Sequence, residues 1–241
     1  MIEPPADLEL ERVADAAVEV VDCIRVLEKS GSNLVAEALG GRRFIEYDHY
    51  PPDDVYDSES RAQYYFHAHP QNRGPWNDYG HFHTFLRVAG MPPGVQPFPA
   101  PSSPIDPAAD NALCHLIAIS MNREGRPVRL FTTNRWVTAE TWYRADDVIA
   151  MLDRFAIDLS RPSWPLNRWI SAMIVLFRQD IEFLIRRRDE TVDLWRQEHP
   201  ESDVFEDRNL EIASASDIDL DDRLGQVRSR LGLDRELHLP S

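Results

Sequence analysis

Basic residues are scarce in this chain, paired cysteines and glycine-rich phosphate loops are missing, and no apolar run is long enough to cross a bilayer. Of 241 residues, 26 are Lys or Arg against 41 Asp or Glu, giving a formal net charge of −15. Such a chain is repelled by nucleic-acid phosphates and by anionic lipid surfaces unless a local patch reverses the field. The one basic cluster, Arg186 to Arg188, runs directly into Asp189 and Glu190, the mixed-sign pattern of a solvated helix face. Nucleic acid and membrane are therefore excluded as expected partners. The acidic surface leaves a basic protein partner open.

Cys23 and Cys114 lie far apart with no C-x-x-C spacing, which argues against a thiolate zinc knuckle and against a redox pair. The opening Met-Ile-Glu-Pro-Pro lacks the basic region and apolar stretch of a secretory leader, so a bacterial-type cytoplasmic location is the default expectation. Neither G-x-G-x-x-G nor G-x-x-x-x-G-K-[ST] occurs, so nucleotide binding through those loops is unsupported.

What is present is ordinary for a folded chain: 43% hydrophobic and 28% charged residues. No Gly/Ser-rich stretch separates two halves, and one domain over 1–241 is expected. Within it, 1–41 reads as a helical segment, 42–133 as a β-rich segment carrying the histidines, 134–198 as helical and 199–241 as an acidic tail. Apolar residues recur at helical spacing from Asp7 to Ala38, with Asn33 opening a second short helix that ends at Gly40-Gly41. Arg42 to Tyr47 is β-like, and Asp48 to Asp54, with Pro51 and Pro52, reads as a loop. Strands are expected at Ala62–His69, Gly80–Arg87, Ala112–Met121 and Pro127–Thr133. The proline-crowded Met91 to Pro107 reads as a covering loop. One helix is expected from Thr138 to Phe155, a long one from Leu166 to Glu198, loop from Pro200 to Asp222, and a last amphipathic turn or helix. Strands in the middle and helices at both ends predict an α+β fold with an antiparallel sheet.

Histidine is where the sequence concentrates chemistry. Side chains alternate along a strand, so His67 shares a face with His69, and His81 with His83. Antiparallel pairing of His69 with His81, and hence of His67 with His83, places all four on one face with opposed Cβ atoms roughly 4.5–5.5 Å apart. The other face then carries Tyr64, Phe66, Ala68, Phe82, Thr84 and Leu86, a good packing surface. Neutral imidazole is the commonest nitrogen ligand of transition metals, and packed imidazoles repel when protonated, so the cluster predicts a metal site. His115, in an otherwise apolar strand, is a candidate fifth member, although a lone buried histidine is more often satisfied by a backbone carbonyl. His49, Asp48 and Asp78 are weaker candidates. Nitrogen ligation suits zinc or copper, and a carboxylate such as Asp48, Asp78 or Asp180 would shift the preference toward iron or manganese. Tyr65 and Arg87 are candidates to orient a substrate, and Arg135 to clamp an anion. His199 and His238 read as solvated.

The stretches Asp48-His49-Tyr50-Pro51, Gly80-His81-Phe82-His83-Thr84-Phe85 and Thr133-Asn134-Arg135-Trp136-Val137-Thr138 make the chain resemble an uncharacterised bacterial domain-of-unknown-function family over most of its length. That resemblance implies no activity. The cupins also place His-x-His on strands, but their glycine and glutamate spacing after His83 is absent and the helical second half does not suit a jelly roll. The expected function is a small metalloenzyme, hydrolytic or oxygen-dependent, acting on a small molecule. The alternatives are a non-catalytic metal or haem-type ligand-binding sensor module, and a metal-free enzyme with a histidine general base.

Overall fold

A computed structural model describes residues 6–69, 78–99, 106, 109 and 111–233. Two helices lead, α1 (Ala6–Lys29) and α2 (Leu34–Leu39). Asn33 caps α2 by accepting the Ala36 N–H at 2.9 Å, and Gly40 closes it in the left-handed region at φ 57°. Six strands follow: β1 (Tyr50–Tyr56), β2 (Ala62–His67), β3 (Gly80–Arg87), β4 (Leu113–Met121), β5 (Pro127–Thr133) and, later in the chain, β6 (Ile212–Asp217). They form one antiparallel sheet in the order β1-β2-β3-β4-β5-β6. Between β5 and β6 lie α3 (Arg135–Thr138), α4 (Ala145–Met151), α5 (Trp164–Leu176) and α6 (Arg178–Glu198), and α7 (Leu220–Arg230) comes last. The fold is α+β, as the grouping of strands and helices predicts. Among the described residues, no helix is long and apolar enough to cross a membrane.

Several expected elements are corrected. The prolines of 48–54 do not make a loop; they sit in β1, at the sheet's edge, where the N–H that proline lacks has no partner to lose. Arg42 to Tyr47 is not a strand but a wrap around the Tyr50 hydroxyl, which accepts the Ile45 N–H at 2.6 Å and donates to the Arg43 carbonyl at 2.9 Å. The acidic stretch after Pro200 holds the other edge strand, β6, whose Asp217 pairs with Arg129 of β5. The expected long helix is two, interrupted at buried Phe177 (φ −104°, ψ 21°), and the apolar stripe runs on across the break. The helix expected over Thr138–Phe155 stops at Ala139, in the left-handed region at φ 53°. The chain then runs extended beside β4, with the Thr141 N–H bonding the Leu113 carbonyl at 2.9 Å, before α4 begins. Part of the proposed covering loop, and His238, lie outside the described residues.

One face of the sheet is apolar. Tyr64, Phe66, Phe82, Leu86, Ile117, Ile119 and Leu130 pack with residues of α1, α2 and α4 to α7 in one continuous core. Phe82 meets Trp169 of α5 with ring centroids 5.9 Å apart, and the buried Tyr64 hydroxyl donates to Asn167 Oδ1 at 2.6 Å. This face anchors the strands, and the phase that buries it aims the alternate residues at the opposite side.

Candidate metal centre

His67 on β2 and His81 and His83 on β3 point to that opposite side together with Tyr65 and Phe85. The register differs from the expected one: His67 is opposite His81 and Tyr65 opposite His83, a displacement of two residues. A shift of two preserves which face each side chain takes, so the histidines still share one face. His69 falls just past the end of β2, its ring 4.9 Å from that of His67 and 5.4 Å from that of His81. His67 Nε2 lies 2.8 Å from His81 Nε2. One ligand nitrogen each from His67, His81 and His83 fall within 4.8 Å of one another, close enough to hold a metal ion.

A bulge brings in His115. Thr84 pairs with Ile117 but Phe85 with His115, so Leu116 is an extra residue in β4. Without it, strict alternation would put His115 on the apolar side with Ile117 and Ile119; with it, the imidazole turns to the histidine face, a recurrent use of bulges. His115 Nε2 then sits 3.0 Å from His83 Nδ1. That contact occupies one nitrogen of His83 and leaves Nε2 for the cluster. Behind it, the Glu140 carboxylate accepts the His115 backbone N–H at 2.7 Å. The extended run after α3 exists to deliver this residue, which sequence spacing gave no means of finding.

The electrostatics favour neutral imidazoles. Burial, then the charges of His81, His69 and His49, push His67 from its ordinary 6.5 down to about 2. Burial, reinforced by His81, His115, His67 and His49, holds His83 well below its ordinary value. Burial, with the nearby Arg188 guanidinium and then His81, brings His115 to about 3. Glu140 is raised to about 7 by burial, against the pull of Arg188 and its hydrogen bonds. Each of the three imidazole shifts keeps a lone pair on nitrogen at neutral pH, the form that binds metals.

The remaining candidates fall into place around this core. His81 Nδ1 has no hydrogen-bond partner and lies 3.4 Å from Asp78 Oδ2. Asp78 therefore stands behind His81, where it would orient the ring, and outside the group of residues that could hold an ion. Burial raises the Asp78 pKa, but His81, Ser120 and Arg129 outweigh it and the carboxyl is held low. Tyr65 stacks on His49 at 3.7 Å and touches both His67 and His83. Arg87 is tied up by Gln63 at 2.8 Å and lies over the Tyr56 ring. Arg135 is buried at the start of α3 and ion-paired with Glu206, so its charge already has a partner. Asp48 is exposed, Asp180 pairs with Arg223 of α7, and His199 stacks on Trp195 away from the sheet. Phe131 walls the cluster beside His81 and His83.

The donor set fits a transition metal: three nitrogens at chelating separation, with outer partners on His81 and His83 that would fix their tautomers. Ser120 Oγ and Thr133 Oγ1 lie buried without hydrogen-bond partners, and both fall on the histidine face by strand phase. Orphaned buried polar atoms beside such a cluster call for a partner, and a polar guest would supply one.

Residues 14–218 match the model of a family described as a domain of unknown function (DUF6969), and the chain belongs to that family. No curated protein and no solved structure matches it.

Proposed function

Because membership of that family assigns no chemistry, we propose from the site alone that the protein binds a transition metal through His67, His81 and His83 and acts as a small metalloenzyme, hydrolytic or oxygen-dependent, on a small molecule. The observation that carries this reading is the triad itself, three buried or half-buried imidazole nitrogens within 4.8 Å of one another. Three protein nitrogens leave a position open for water or substrate, which distinguishes a catalytic site from a closed structural one. Bound there, a metal would act as a Lewis acid or as the partner of oxygen. Zinc, iron and copper all suit this donor set. Tyr65, Phe85 and Phe131 would shield it, and Asp78 and His115 would hold His81 and His83 in the tautomers that ligate.

Elemental analysis of the purified full chain tests the reading, repeated for His67→Ala and His81→Ala. The expected result is about one transition-metal ion per chain in the wild type, and loss of most of it in both variants, since removing one of three ligands costs far more than the 10–100-fold typical of an outer partner. A wild type that carries no transition metal and gains no thermal stability from added zinc, iron or copper overturns it. That outcome would favour a metal-free acid/base site, for which the direct His83–His115 contact at 3.0 Å is the supporting observation.

A further inference from the structure

His49 lies outside the triad, yet it is held with more care than a rim histidine needs. Its Nδ1 is 2.9 Å from Asp54 Oδ1. The other carboxylate oxygen of Asp54 accepts from Gln63 Nε2 at 2.7 Å, and Gln63 Oε1 accepts from Arg87 Nε at 2.8 Å. Asp54 takes up this position with φ 54°, in the left-handed region, inside the irregular stretch of β1 where Tyr50 and Val55 pair with Phe66 and Tyr64. Non-glycine residues rarely adopt such a backbone, and they concentrate where function needs them. The His49 ring lies flat on Tyr65 and stands 5.8 Å from the ring of His67, with its side chain 40% exposed at the rim of the cluster.

We propose that His49, held by Asp54, accepts a hydrogen bond from the small ligand that fills the open position beside the triad, so that this ligand is one that carries a proton: a hydroxyl compound, a hydroxamic acid or water. The inference rests on the metal reading above. A carboxylate only accepts, so Nδ1 carries the hydrogen given to Asp54 and Nε2 presents a lone pair. An acceptor at the mouth of the site selects for donors and disfavours bare anions.

The test uses the full chain loaded with cobalt(II), titrated optically with acetohydroxamic acid, which binds metals and keeps an N–H to donate, and with azide, which has no proton to give. His49→Ala is expected to weaken acetohydroxamic acid about tenfold, the loss of one desolvated hydrogen bond, and azide less than about twofold, with cobalt affinity unchanged. Asp54→Asn places an amide donor against Nδ1 and moves the hydrogen to Nε2, so it is expected to weaken the hydroxamic acid and strengthen azide. A structural role would not produce opposite shifts. His49→Gln serves if the alanine variant does not fold. Equal losses for both ligands, or none, overturn the proposal, as does loss of cobalt on changing His49, which would make it a metal ligand. A wild type that binds no cobalt overturns this proposal and the metal reading together, whereas cobalt binding with His49 variants indistinguishable from wild type overturns this one alone.

Discussion

The two faces of the sheet are made by the same strands and both are largely buried, but they use that burial differently. On one, Phe66, Phe82, Leu86 and Ile117 are fully enclosed and touch other apolar groups, and the buried hydroxyls of Tyr64 and Thr84 have their acceptors in Asn167 and the Ile117 carbonyl. On the other, His83, His115, Ser120 and Thr133 are enclosed to 2% exposure or less, while Ser120 Oγ and Thr133 Oγ1 have no hydrogen-bond partner. An unmet buried polar atom costs about 1–3 kcal/mol, and among the described strand side chains of the apolar face none is left unmet. Burial does not separate the two faces; unmet polar atoms do.

The comparison can be broken most forcefully from the apolar side. Phe82→Ala is expected to lower stability by about 3–5 kcal/mol in chemical denaturation while leaving metal content per folded chain unchanged, because Phe82 faces Trp169 and not the histidines. If metal content falls with it, the faces are not independent.

Stability against pH, measured as Tm on the chelator-treated protein, sharpens the contrast next. An unfolded histidine titrates near 6.5, whereas His67 folded titrates near 2 and His115 near 3. Between these values the unfolded chain holds the extra proton, so stability climbs as pH rises toward 6.5, by about 1.4 kcal/mol per pH unit for each such imidazole. Glu140 runs the other way. Its folded value near 7 lies above its ordinary 4.5, so its contribution is full below 4.5 and is lost as pH rises toward 7. The histidines outnumber it, so Tm is expected to climb to about pH 7 and then level off, and Glu140→Gln is expected to steepen the climb between pH 4.5 and 7. A maximum below pH 5 would refute the neutral, buried state of the imidazoles.

The smallest expected effect is the most discriminating. His83→Leu is predicted to cost the metal-free chain no more than about 1 kcal/mol, because relief of a buried imidazole is set against the partner that His115 Nε2 loses. Metal binding should be abolished in the same variant. A loss of several kcal/mol on calorimetry would mean that His83 is a structural element of the core.

Much of this arrangement was legible in the residues. Strand phase is a period of two, so His81 and His83 share a face by spacing, His67 joins them through the apolar alternation of Tyr64, Phe66, Phe82 and Leu86, and β3 and β5 match their expected bounds. Register was not legible, because the loop after His69 is long enough to permit either pairing and both keep the same faces inward. β1 and β6 were hidden by their edge position, where prolines and acidic residues are tolerated that would rule out an inner strand. The break at Phe177 is invisible to periodicity because the buried stripe continues through it. Glu140 and Asp54 carry no pattern at all: one reaches its partner through an extended run after a four-residue helix, the other through an irregular strand.

The strand order in space repeats the strand order in the chain. Each ladder therefore closes between consecutive strands, and from β1 to β5 no helix longer than a single 3-10 turn intervenes among the described residues, which keeps those closures local; only β6 joins after α3 to α6. The triad and its nearest partners come from β2, β3 and β4, a contiguous stretch of that meander. Docking α1 against α5, with the Glu19–Arg168 ion pair that joins them, is instead a closure between distant parts of the chain. The histidine side of the sheet can thus be assembled by neighbours alone, and a nascent chain can bring its three histidines together before its two ends have to meet.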